Sequence, residues 1–200
     1  MSEAGSHHQQ RLLLIRHPET IANVERRYIG RTDSPLTDRG RRQVTYLSDV
    51  TRAWGPDAIY SSPLGRAWTT AVAIAPRHVE PVACDDLVEI DFGQAEGHTW
   101  DELVAAGITP DYASEGPVVP GGENVAALRE RVRRVAAEIE RGPARTAVVT
   151  HGGVLRLLLV HWLGLPRDAG WRIRLPNAVT VVLRFDGGAV TLEERRPPGG

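Results

Sequence analysis

The run Leu12-Leu13-Leu14-Ile15, followed at once by Arg16-His17-Pro18, constrains the fold of this 200-residue chain more than any other stretch. Four successive apolar residues suit a short strand covered on both faces, as in a parallel sheet. Proline cannot donate to a ladder, so the strand has to end there. A guanidinium and an imidazole are thereby left at the carboxyl end of a core strand, where open α/β sheets bind ligands. A second stretch repeats this grammar: Ala147-Val148-Val149-Thr150 runs into His151, and Gly152-Gly153 opens a helix. Two parallel strands that both end in histidine bring the imidazoles to one crevice. The unpaired amides of the helix after His151 suit an anion beside them.

Between these stretches, helical and extended patterns alternate. Thr37 caps a helix over 38–54 with Val44, Leu47, Val50 and Trp54 on one face. Residues 58–60 read as a strand. Ser62-Pro63 reads as a capping serine and first-turn proline of a helix to about residue 75, burying Ala67, Trp68, Ala71 and Val72 with Arg66 in its first turn. Residues 78–84 suggest a strand interrupted by Pro81, 86–97 an acidic loop, and 99–107 a short helix. The Pro- and Gly-rich excursion over 98–122 reads as a lid or rim. The clearest helix spans 123–141, with Val125, Leu128, Val132, Val135, Ala136 and Ile139 on one stripe and its charges on the wet face. Residues 152–163 form a nearly all-apolar helix. Strands over 178–185 and 189–194 are joined at Asp186-Gly187-Gly188, a hairpin signal.

The expected fold is an α/β three-layer α/β/α sandwich, mostly parallel, with an antiparallel edge contributed by the C-terminal hairpin. Residues 1–10 read as a disordered tail, 11–195 as one domain, and 195–200 as a frayed end.

A formal charge of −1 gives no reason to expect nucleic acid or a membrane as partner, and no apolar run reaches spanning length. Residues 1–10 lack the apolar stretch of a secretory signal. Cys84 is the only cysteine, so no disulfide framework exists and a cytoplasmic location is expected. All 24 basic residues are arginine. Arginine identity therefore argues little by itself, and position has to carry any inference.

Position does carry one. Leu14-Ile15-Arg16-His17-Pro18-Glu19-Thr20-Ile21-Ala22-Asn23 resembles the signature Leu/Ile-x-Arg-His-Gly-x-Thr-x-x-Asn of the histidine phosphatase, or phosphoglycerate mutase-like, superfamily. The resemblance continues in family order through Gly30, Asp33, Ser61-Ser62-Pro63-Leu64-Gly65-Arg66-Ala67, Glu89, Glu96-Gly97, Pro120-Gly121-Gly122-Glu123 and Val149-Thr150-His151-Gly152-Gly153. It implies a phosphatase acting on a small phosphorylated metabolite through a phosphohistidine, with no metal or organic cofactor. His17 would be the nucleophile, and Arg16, Arg66 and His151 would bind the phosphoryl oxygens. Glu89 would protonate the leaving oxygen and then activate water, a role that needs its carboxyl protonated at the working pH. Asn23 and the Gly152 amide would assist, with Thr20, Gly30 and Arg31 as further substrate-binding positions.

Two positions depart from the family pattern. Pro18 replaces a glycine whose carbonyl orients the nucleophilic imidazole; proline keeps that carbonyl and stiffens the turn. Asn124 stands where many members have serine, and its amide is expected to reach the phosphate.

The alternatives within the family are an α-ribazole phosphatase or a phosphoglycerate mutase; the compact length favours a phosphatase. The alternative outside enzymology is a catalytically impaired phospho-ligand binding protein, which has no need of an acid at Glu89. A metal site on His17 and His151 is opposed by their spacing and by the neighbouring arginine. Arg26, Arg27 and Arg31 either form a second anionic subsite or are solvated loop residues. Trp100, Tyr112 and Trp171 either stack on a ring or fill the core.

Overall fold

A computed structural model describes residues 9–198. Six strands form one sheet: β1 (Gln10–Arg16), β2 (Ala58–Ser61), β3 (Val82–Ala83), β4 (Arg145–Thr150), β5 (Thr180–Asp186) and β6 (Ala189–Arg196). Their order is β3-β2-β4-β1-β5-β6. The first four positions in that order are parallel, whereas β5 runs antiparallel to β1 and β6 antiparallel to β5. The β5–β6 turn uses Gly187 and Gly188 at φ 57° and 86°, left-handed backbone that glycine adopts without a Cβ clash.

Among the described residues seven α-helices accompany the sheet: α1 (Ile21–Val24), α2 (Asp38–Trp54), α3 (Gly65–Ile74), α4 (Trp100–Ala105), α5 (Val125–Glu140), α6 (Gly152–Trp162) and α7 (Ala169–Arg172). The alternation of β1 explains the layering. Leu12 and Leu14 pack into a core with α5 and α6 residues such as Leu128 and Leu155. Leu13 and Ile15 point the other way, into a core with Leu47 of α2 and Ala67 and Ala71 of α3. The result is the expected three-layer α/β/α arrangement.

Thr37 caps α2, its hydroxyl accepting from the Gly40 amide, and the whole apolar stripe expected for α5 is buried. Elsewhere the structure departs from the sequence reading. The helix after Ser62-Pro63 begins only at Gly65, and Ser62 does not cap it. Val72 of that helix is exposed rather than buried. The strand over 78–84 shrinks to Val82–Ala83, because Pro81 removes a ladder donor. Neither α1 nor α7 was anticipated.

Both ends of the domain are also tighter than expected. Residues 1–8 of the proposed tail lie outside the described residues. Gln10, however, is a buried part of β1 whose side-chain amide donates to the carbonyls of Ile139 and Pro143. Arg195 and Arg196 continue β6 against Val181 and Thr180, where fraying was expected. No helix among the described residues is long and apolar enough to cross a membrane.

Strand register sets the site. Arg16 lies opposite Thr150, and Ser61 opposite Val149, so three adjacent parallel strands end side by side. The chain leaves them at His17, His151 and Ser62. The His17 amide donates to the Thr150 carbonyl at 2.9 Å, and the Ser62 amide to the Val149 carbonyl at 3.0 Å.

Candidate active site

His17 lies in the wall of a cavity of about 330 Å³ beyond these strand ends. Its Nδ1 is 2.8 Å from the Pro18 carbonyl oxygen. A carbonyl only accepts, so Nδ1 carries the proton and Nε2 keeps a lone pair. The departure from glycine at position 18 thus preserves the acceptor that orients the ring. Pro18→Gly is expected to keep turnover within about threefold while lowering stability by about 0.4–1 kcal/mol through added freedom of the unfolded chain. Steady-state kinetics with a urea melt checks this, and a tenfold loss of kcat would show that ring closure matters to the chemistry.

The same turn is held from the segment just before β5. The Asn177 side-chain amide donates to the His17 carbonyl at 3.2 Å, to the Pro18 carbonyl at 3.4 Å and to Asn23 Oδ1 at 2.8 Å. Ala178 follows at φ 58°, unusual for a residue with a Cβ, and its amide donates to the Arg16 and His17 carbonyls. Asn23 Oδ1 also accepts from the amide and hydroxyl of Thr20, the capping residue of α1. These bonds engage the oxygen of Asn23 and leave its Nδ2 donors for a ligand. Thr20 and Asn23 both line the cavity.

His151 is fully buried behind His17, with ring centroids 5.2 Å apart. Its Nε2 lies 2.7 Å from the Ser62 hydroxyl oxygen, which accepts from the Leu64 amide. The Ser62 hydroxyl has one proton to donate to Nε2; in that tautomer the proton of neutral His151 sits on Nδ1, a buried atom without a partner among the described residues. Ser62 therefore orients the second imidazole; this is its task instead of capping.

Arg16 and Arg66 border the same cavity. Arg16 donates from Nη1 to the Leu175 carbonyl, while its Nε is buried without a partner. Burial pushes its pKa down to about 10; Glu89 pulls upward, and Arg156 and Arg66 add to the lowering. Arg66 is fixed by the carbonyls of Thr32 and Gly30, both at 2.8 Å, and by Asp33 Oδ1 at 3.4 Å.

Glu89 is buried and sits at the amino end of α6. Its Oε2 accepts from the Gly153 amide and its Oε1 from the Ile90 amide, both at 3.0 Å. One of the amides expected to hold an anion therefore already holds this carboxylate. A Cβ on Gly153 would stand 2.4 Å from Glu89 Oε1, so only glycine admits the approach. Arg131 holds the Glu89 segment from behind, donating to the carbonyls of Asp86, Val88 and Glu89 and pairing with both oxygens of Glu123.

Of the ten expected site residues, the structure brings Arg16, His17, Thr20, Asn23, Arg66, Glu89 and Gly152 to the cavity wall, with His151 directly behind. Gly30 and Arg31 are not among them. Gly30 donates its amide to Glu96 and lends its carbonyl to Arg66, so it positions the arginine. Arg31 reaches toward Glu123, 3.7 Å away. Arg27 borders the cavity but is bound by Glu25, Glu102 and the Gly97 carbonyl, which argues against the loop arginines as an anionic subsite. Asn124 is the N-cap of α5 and does not line the cavity. Trp171 and Tyr112 line it, whereas Trp100 does not. Asn177, Arg131 and the cavity-lining Arg156 are further residues at or behind the site that the sequence reading did not single out. No group of three His, Cys, Asp or Glu side chains among the described residues is arranged to hold a metal ion.

Both histidines are held well below the ordinary imidazole pKa of 6.5. Burial is the main cause, reinforced by Arg16 and Arg66 at His17, and by Arg66, His17 and Arg16 at His151. Unfolding restores the ordinary value, so below pH 6.5 the unfolded chain binds more protons than the folded one. Stability is full above pH 6.5 and falls as the pH drops toward the folded values, with a limiting slope of about 2.7 kcal/mol per pH unit for two histidines. Urea unfolding at pH 7.5 and 5.5 checks this; an unchanged midpoint would contradict neutral burial of the pair.

The comparisons with known proteins agree with this geometry. A Salmonella paratyphi C protein described as a probable phosphoglycerate mutase GpmB is 37% identical over 172 residues, covering 82% of this chain and 80% of that one. The crystal structure of the α-ribazole phosphatase from Shigella flexneri matches with a TM-score of 0.82 at 29% identity, covering 96% of each chain. The phosphoserine phosphatase of Entamoeba histolytica, in complex with 3-phosphoglyceric acid, matches with a TM-score of 0.81 at 26% identity, covering 94% and 97%. Residues 12–196 match the model of the histidine phosphatase superfamily (branch 1), and this chain belongs to that superfamily.

Proposed function

We propose that this protein hydrolyses small phosphomonoesters through a phosphohistidine on His17. The observation that carries the reading is the His17 Nδ1–Pro18 bond, which leaves Nε2 unprotonated at a cavity bordered by Arg16, Arg66 and Glu89. Nε2 attacks phosphorus while the bond to the leaving oxygen breaks, and Glu89 supplies that oxygen with a proton. Water then gives a proton back to Glu89 as its oxygen displaces the imidazole, releasing phosphate and restoring the enzyme. Arg16 Nε and His151 Nδ1, both buried and unpartnered, donate to the equatorial oxygens, whose charge grows in the transition state. Cys84 is a free thiol, which suits the reducing cytoplasm.

Rapid quenching with labelled substrate tests the mechanism. An acid-labile phosphoryl group recovered on the peptide containing His17 is expected, and turnover without it would overturn the proposal.

The name of the Salmonella relative favours a second reading, a mutase in which an alcohol rather than water takes the phosphoryl group. Compact length does not separate the two, since this chain spans 80% of that relative. The solved neighbours described as phosphatases support hydrolysis. ³¹P NMR with 3-phosphoglycerate decides: inorganic phosphate supports hydrolysis, and 2-phosphoglycerate without phosphate the mutase.

A further inference from the structure

Resting on the hydrolase reading, we infer that Arg156 and Trp171 form a subsite for a carboxylate on the leaving group, so that the preferred substrates are phosphorylated acids. Arg156 comes from α6, one turn beyond His151, and borders the cavity. A Cβ on Gly152 would stand 3.0 Å from Arg156 Nη1 and 3.5 Å from Arg16 Nε, so the two guanidiniums approach the same glycine. Unlike Arg66, Arg156 is spared from structural work: its Nε donates to the Ile173 carbonyl at 3.0 Å, and its terminal nitrogens bond to no described residue. No carboxylate among the described residues pairs with it within 4 Å.

A second donor comes from α7. Gly170 lets this short helix close on α6, since a Cβ there would meet Val160 at 2.9 Å. The next residue, Trp171, lines the cavity with its Nε1 buried and without a partner. An indole N–H without an acceptor is costly to bury unless a ligand supplies one. Tyr112 packs on Trp171 with centroids 4.6 Å apart and completes an apolar side to the subsite.

The charge of the acceptor follows from this donor set. One guanidinium and one neutral N–H balance a single negative charge, as on a carboxylate. A second phosphate would bring two negative charges to a side that offers one positive charge. The loop arginines do not compete for the role, because Arg27 and Arg31 already face carboxylates.

Glycerol 3-phosphate and 3-phosphoglycerate form a matched probe pair, differing at the carbon that carries the carboxylate. The wild-type protein is expected to favour 3-phosphoglycerate by about tenfold or more in kcat/KM, the worth of one charge-assisted hydrogen bond. In Arg156→Gln and in Trp171→Phe that ratio is expected to fall toward one. Because the readout is a ratio, partial loss of folded protein does not move it, and Trp171→Phe stands in should Arg156→Gln fail to fold. Equal losses on both substrates would make Arg156 a phosphoryl ligand and overturn the inference, as would a wild-type ratio near one. Absence of phosphate release from every phosphomonoester would instead defeat the hydrolase reading itself.

Discussion

His17→Ala is expected to lower kcat for phosphate release by at least about a thousandfold, the scale of losing a covalent nucleophile. In the proposed mechanism every other polar group at the cavity binds, orients or moves a proton, and none takes the place of Nε2. His151 is the nearest imidazole, but it is fully buried and its Nε2 is committed to Ser62. The fold is expected to survive. The imidazole is neutral, so its removal leaves no unpaired charge and opens only a small void. Unchanged far-ultraviolet circular dichroism, with no phosphohistidine after rapid quench, is the expected pair of results. Turnover within tenfold of wild type would assign the chemistry to another residue.

The parts of this site that depend on strand order were legible in the sequence. The run Leu12–Ile15 leading into Arg16-His17-Pro18, and Ala147–Thr150 leading into His151-Gly152-Gly153, are enough to place two imidazoles at the carboxyl ends of neighbouring strands. Helix termini read well where chemistry is local, as with Thr37 and with Gly55 at φ 66° closing α2. The failures share a physical cause, in that tertiary partners rather than neighbours decided the outcome. Ser62 looked like a cap because Pro63 follows it, but the hydroxyl is worth more beside the buried His151. Gly30 and Arg31 were carried over by resemblance, and their own partners, Glu96 and Glu123, turn them away from the cavity. Arg156 was hidden inside an apolar helix, where a lone charge looks like an interruption. Its exposure to a cavity rather than to bulk water cannot be read from periodicity.

The burial of Arg131 is legible in the sequence. It lies three residues after Leu128 and four before Val135, on the buried stripe of α5 rather than its wet face. A charge at such a position has to be fully paired. Its guanidinium meets Glu123 Oε1 at 2.7 Å and Oε2 at 2.9 Å, and the carbonyls of Asp86, Val88 and Glu89 at 2.8, 2.7 and 3.2 Å. Those carbonyls belong to a stretch with no strand or long helix of its own, so this one side chain supplies donors that a ladder would otherwise provide. Arg131→Ala is expected to destabilise the protein by about 3–5 kcal/mol, because it removes the main partner of the half-buried Glu123 carboxylate and leaves three carbonyls unpaired. For a domain of this size that is a fall in Tm of roughly 10 °C. A paired variant, Arg131→Met with Glu123→Leu, removes the orphaned charge and is expected to regain part of the stability. It leaves the Glu89 backbone untethered, so kcat is expected to stay at least about tenfold below wild type even where the variant is fully folded. Differential scanning calorimetry and kcat measured well below the melting range separate the two effects. Recovery of kcat in step with stability would make Arg131 a purely structural residue, whereas a persistent deficit makes it the group that positions Glu89.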